Sequence, residues 1–300
     1  MTEQQSRRAR TKADVRRAVG VETQVDARQL LEQAVALHQG GEPARAAALY
    51  EQVLAQAPNE PDALHFLGLA RFQLGDGERA LALIRRAVAE RPTVAAYHDN
   101  LGAVHEARGE LDDALGAYDE AERLEPDNAD RRFNVAIVLD RLGRADEAEH
   151  AYRAALALHP GEYDFHYNLG LLLARRGRLD EAVALYRSAL DIRPDAGACW
   201  NNLGNALRGL ARRDEAASAY RRAIDVRPGD ALAHLNLGHC LHEAGELTAA
   251  RDAFAQAAAT AGDAGQRLEA RLALAAAEEV LGNHAAALEG CLAARARRVQ

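Results

Sequence analysis

The stretch YDFHYNLGLLLARRGRLDEAVALYRSALDIRPDA, residues 163–196, reads as two helices divided at Gly177 and closed by Pro194. Its proline is one of a regular series. Six of the eight prolines stand at 58, 92, 126, 160, 194 and 228, each 34 residues after the last. A fixed period of that length marks a helix-turn-helix unit that cannot bury its apolar face alone and stacks on its neighbours to do so. The chain is therefore an array, and its function is expected on surfaces rather than in an enclosed pocket.

With residue 27 as position 1, the other positions repeat as the prolines do. Position 20 is Ala46, Ala80, Ala114, Ala148, Ala182, Ala216 and Ala250, as if two helices meet there with room for only a methyl group. Position 8 is equally small, with Ala34, Gly68, Gly102, Ala136, Gly170, Gly204 and Gly238, whereas position 24 is large, with Tyr50, Ile84, Tyr118, Tyr152, Tyr186, Tyr220 and Phe254. Small against small, with a large residue in the gap between repeats, is how helices reach close packing. Position 15 is glycine except at Ala211, which suits a left-handed residue ending the first helix. The proline at position 32 ends the second helix because it lacks an amide donor and biases the residue before it away from helical angles.

These residues resemble the tetratricopeptide repeat family over seven unbroken repeats, 27–60, 61–94, 95–128, 129–162, 163–196, 197–230 and 231–264. A degenerate eighth copy over 268–300, reached after extra residues around 262–266, places Ala275, Gly282, Ala287, Cys291 and Ala294 at positions 8, 15, 20, 24 and 27. The resemblance implies an all-α fold: an α-solenoid of stacked antiparallel helix pairs, wound as a right-handed superhelix, with a concave groove lined by the first helix of each pair.

Composition agrees. The chain has 300 residues, a net charge of −8 and three cysteines, Cys199, Cys240 and Cys291, without metal or disulfide spacing. They read as small core residues in a reducing compartment. No apolar run reaches the ~18 to 20 residues of a membrane span, and the N-terminal arginines lack the apolar stretch of a secretory signal, so the location expected is cytoplasmic, with no membrane insertion. Residues 1–26 differ in kind, with six basic side chains against four acidic ones, and Lys12 is the chain's single lysine. They read as a solvated, partly disordered leader; a nucleic-acid arm is disfavoured by the acidic body, so no nucleic-acid partner is expected.

The family geometry assigns the groove mainly to positions 2, 5, 6, 9, 12 and 13. Position 6 holds a row of asparagines, Asn100, Asn134, Asn168, Asn202 and Asn236. An amide offers a donor and an acceptor, so such a row suits the backbone of an extended peptide whatever its side chains. It resembles the asparagine ladder in the repeat domains of protein O-linked N-acetylglucosamine transferases and kinesin light chains. The competing reading is that each asparagine bonds a neighbouring helix. Arg141, Arg175 and Arg208 add positive charge, Phe133 and Tyr167 add rings, and acidic groups such as Asp62, Asp140 and Asp164 add the opposite sign. A carboxylate clamp of the chaperone-binding type is not matched, because the repeats contain no lysine and no arginine at position 6.

Catalysis finds no motif: GxxxxGK[ST], GxGxxG and GxSxG are absent. His239 and His242 stand one helical turn apart, but no third metal ligand is evident. No catalytic, metal or cofactor site is expected. The reading is a non-enzymatic scaffold that holds an extended peptide or a partner's tail. Two alternatives stand beside it: a substrate-recruiting subunit of a separately encoded glycosyltransferase or sulfotransferase, and a homo-oligomer assembled through its end repeats.

Overall fold

The computed structural model describes residues 26–288, and every regular element among them is helical. Met1–Val25 of the expected leader, and Cys291 and Ala294 of the eighth copy, lie outside the described residues. Two compact units divide the chain, Met1–Asp127 and Asn128–Gln300. The first holds α1 (Ala27–Gln39), α2 (Pro43–Gln56), α3 (Pro61–Gln73), α4 (Gly77–Glu90), α5 (Ala95–Ala107) and α6 (Leu111–Leu124). The second holds α7 (Ala129–Arg141), α8 (Ala145–Leu158), α9 (Tyr163–Arg175), α10 (Leu179–Ile192), α11 (Gly197–Gly209), α12 (Arg213–Val226), α13 (Ala231–Glu243), α14 (Leu247–Thr260) and α15 (Ala264–Val280). Within each unit, helices pack on their sequence neighbours as antiparallel pairs. First helices also touch the next first helix, as α1 does α3 and α11 does α13.

The turns follow from local chemistry. The described glycines of position 15 all have positive φ, and at Gly177 the following amide of Arg178 donates to the Leu173 carbonyl at 3.0 Å, which satisfies a carbonyl the helix end would orphan. Ala211 adopts the same left-handed conformation with φ 58°. Several second helices then start on acidic residues, Asp146 and Glu147 in α8, Asp180 and Glu181 in α10, Asp214 and Glu215 in α12, where the helix dipole favours negative charge.

Packing inside a repeat rests on the small positions. The seven alanines of position 20 have no exposed surface. A Cβ built on Gly204 would lie 2.5 Å from Tyr220 Cε1, and one on Gly170 would lie 2.8 Å from Tyr186 Cε1. The large residue of position 24 thus lies over the first helix of its own repeat, and it reaches the next repeat as well, since Tyr50 stacks on Phe66 at 6.0 Å. Glu149 on α8 ties repeats together by charge. It accepts Arg176 and Arg178 from the following repeat at 2.8 and 2.7 Å.

One further device recurs. The ring N–H at position 4 donates to the carbonyl of the preceding proline: His98 to Pro92, His166 to Pro160 and Trp200 to Pro194 at 2.8 Å, and His234 to Pro228 at 2.9 Å. Each bond closes the junction between one repeat and the next. The eighth copy departs from its expected start, because α15 begins at Ala264, where Asp263 caps it by accepting the Gln266 amide at 2.8 Å. Gly282 again has positive φ, 82°.

Candidate functional site

The asparagine row lies on the first helices, and all five side chains are half-buried. Four have described bonds, and in each the amide nitrogen donates. Asn100 Nδ2 donates to His65 Nε2 and to its own helix at the Ala96 carbonyl, both at 2.9 Å. Asn202 Nδ2 donates to the Tyr167 hydroxyl and Asn236 Nδ2 to Asn201 Oδ1, both at 3.0 Å. In these three inter-repeat bonds the acceptor sits at position 5 of the preceding repeat, 35 residues earlier. Asn168 follows Phe133 in that register, a side chain with no polar acceptor, and its Nδ2 turns back to the Asp164 carbonyl at 2.8 Å. The donor ends are therefore committed inside the protein, whereas no hydrogen bond is described for Oδ1 of Asn168, Asn202 or Asn236.

The residues between them are partly structural. Tyr167 stacks on Tyr163 with ring centroids 5.5 Å apart, and Phe133 packs 4.7 Å from Phe165. Buried His65 has its pKa pushed down to about 4 because burial penalises the charged ring. Its Nε2 accepts from Asn100, so the ring is neutral at pH 7.

The three arginines differ. Arg141 is exposed at the end of α7. Arg175 is paired, with Nη2 donating to Asp140 Oδ1 and Oδ2 at 2.6 and 2.5 Å. Arg208 is half-buried near the end of α11; no ion pair or hydrogen bond is described for it, and its Nη1 is sealed from solvent without a partner. In the first unit, acidic Asp62 is also engaged, accepting from the Tyr97 hydroxyl and pairing with Arg91 at 3.2 Å.

His239 sits edge-on to Phe254 at 5.0 Å, and burial lowers its pKa, with Arg208 adding to the effect. Among the described residues it does not belong to a group of three convergent ligands. That description fits His105, Glu110 and Asp113 instead, where His105 Nδ1 lies 2.7 Å from Glu110 Oε2. Sequence reading missed this cluster because its members straddle the turn between α5 and α6. Cys199 is buried, and burial pushes its thiol up to about 12, which leaves it protonated and unreactive.

Comparison with known proteins gives consistent findings. Models of the tetratricopeptide repeat match residues 3–61, 133–197 and 201–265, residues 37–103, and residues 95–128. Among solved structures, YrrB, a TPR protein described with an unusual peptide-binding site, aligns at TM-score 0.54 and 21% identity over 61% of this chain and 95% of its own. MamA from Desulfovibrio magneticus aligns at TM-score 0.53 and 20% identity over 57% of this chain and 96% of its own. PilF of Pseudomonas aeruginosa aligns at 0.56 and 20% identity over 66% and 89%. At these identities the likeness is one of fold. No curated protein matches the sequence. No described helix is long and apolar enough to cross a membrane.

Proposed function

Because the chain belongs to the tetratricopeptide repeat family, whose members generally mediate protein–protein interactions and are typically non-catalytic scaffolds, we propose that it is a non-enzymatic, cytoplasmic scaffold that binds an extended peptide or partner tail on the face of its first helices. The observation that carries this is the row of half-buried asparagines in the second unit, among which Asn168, Asn202 and Asn236 use their nitrogens internally while their carbonyl oxygens have no described partner. Carbonyls spaced one per repeat suit backbone N–H groups a few residues apart along an extended chain, since packed helices stand about 8–10 Å apart and an extended chain rises about 3.3 Å per residue, and this needs no particular side-chain sequence. In this respect the proposal keeps the likeness to the asparagine ladders of O-linked N-acetylglucosamine transferases and kinesin light chains. Half-buried Phe133 and Tyr167 precede Asn134 and Asn168 on their helices, Leu171 follows Asn168 by one turn, and the three offer apolar contact.

Asn168 gives the cleanest test, since its nitrogen bonds its own helix and no neighbouring repeat depends on it. Dodecapeptides from a random phage-displayed library, recovered on the full chain, are expected to bind about fivefold more weakly to Asn168→Ala, the loss of one net hydrogen bond of roughly 1 kcal/mol. Placing a bulky ring on the same face at exposed Ala198, as Ala198→Trp, should abolish binding with little change in melting temperature. Peptides that bind both variants as tightly as the parent lie elsewhere, and the alternative of contacts through the end repeats would then take precedence.

A further inference from the structure

We propose, building on that reading, that α11 and α13 carry a subsite centred on Arg208 for a singly charged carboxylate, the side chain of an acidic residue in the bound peptide. The structure separates the arginines that the sequence treats alike. Arg175 holds both oxygens of Asp140, so a ligand carboxylate must first displace that partner. Arg208, one repeat later and one position earlier in its helix, has no intramolecular carboxylate. Its Nη1 is sealed from solvent, so a ligand carboxylate meets the rest of the guanidinium, whose charge no protein carboxylate neutralises.

The neighbours fit that ligand. Asn205, exposed one turn before Arg208 on α11, has Oδ1 held by the Tyr220 hydroxyl at 2.8 Å, which fixes the amide and leaves Nδ2 as a second donor beside the guanidinium. From α13, half-buried His239 faces the same region and is kept neutral by burial and by Arg208 itself, so it adds no competing charge. Glu243, at the end of α13, is the internal competitor. Together with Arg208 it is felt by Tyr220 and Cys240, yet no ion pair joins the two. At these positions one repeat pair earlier, the charges are reversed and the bond does form, as Asp140–Arg175. A nearby glutamate and a net charge of −8 oppose a dianionic phosphate more than a monoanion, which favours a carboxylate over a phosphorylated residue.

The experiment is a double-mutant cycle on the full chain, with synthetic versions of the phage-selected dodecapeptides as probes. The peptides are expected to contain Asp or Glu. Changing that residue to Asn or Gln, and changing Arg208→Gln in the protein, should each weaken binding about tenfold, with no further loss when combined. Arg208→Lys should recover part of the affinity, and Glu243→Gln should tighten binding by removing the competitor. Melting curves of each variant separate lost binding from lost folding. Peptides that respond to Asn168→Ala and Ala198→Trp but are indifferent to Arg208→Gln overturn the carboxylate subsite and leave the peptide-binding face standing. A phosphoserine probe that binds more tightly than the glutamate one, through Arg208, also overturns it in favour of a phosphate site. Loss of dependence on all three positions overturns both readings.

Discussion

Ala211 is the residue whose backbone is least suited to its side chain. It takes φ 58° where the corresponding positions are glycine at 75° to 84°. A left-handed conformation costs an L-residue with a Cβ roughly 1–2 kcal/mol, and glycine's extra entropy returns about half of that. Ala211→Gly is therefore expected to raise stability by about 0.5–1 kcal/mol, read as a higher melting temperature in calorimetry. A lower one would show that the turn needs the methyl group. At the same scale, His65 makes stability depend on pH. Its folded pKa, about 4, lies below the ordinary histidine value of 6.5, so the unfolded chain takes up the proton first as pH falls. Stability from this group is full above about pH 6.5 and is lost progressively as pH falls toward 4, by up to roughly 3 kcal/mol. His239, also shifted down, acts in the same sense. Urea unfolding at pH 7 and pH 5 should show this loss, and His65→Gln should remove most of it; an unchanged slope in that variant would assign the effect to other groups.

At the scale of elements, the pair of helices is decided by the contact between first and second helix, and the stack by the junction between pairs. Ala182 on α10 has no exposed surface, while Ala184 on the same helix is exposed. Ala182→Leu is expected to overpack the seam and cost on the order of 1–3 kcal/mol, and Ala184→Leu to cost little, as compared by thermal melting. The junction has its own lock. Trp200→Phe keeps an aromatic ring, though a smaller one, and removes the indole N–H that bonds the Pro194 carbonyl, and should cost about 1 kcal/mol or somewhat more in chemical denaturation. The small positions of the pair were legible in the sequence because they repeat as residue types. The lock was not, since its donor is histidine at three junctions and tryptophan at a fourth, and its acceptor is a backbone atom. What recurs there is a donor at a place in space.

For the whole molecule, an array is held by repeat terms and nearest-neighbour interfaces, so a compact set of repeats does not need the rest of the chain to fold. The unit Asn128–Gln300, expressed by itself, is expected to give a helical circular dichroism spectrum and a cooperative melt. An unfolded fragment would mean that stability is shared across the full length. The period, the alternation of first and second helices, the left-handed turns and the alanine seam can all be read from residue types alone, because each is a local choice made again every 34 residues. The sequence also places the asparagines and arginines on one set of helices. What those side chains bond depends on how the repeats stack. Asn202 meets Tyr167 and Asn236 meets Asn201 across repeats, Arg175 is taken by Asp140, and Arg208 is left without a carboxylate. The reason is physical: a side chain's availability depends on what stands a few ångströms away on the next helix, and that neighbour lies 35 residues off in the chain, at positions where the residue type changes from repeat to repeat.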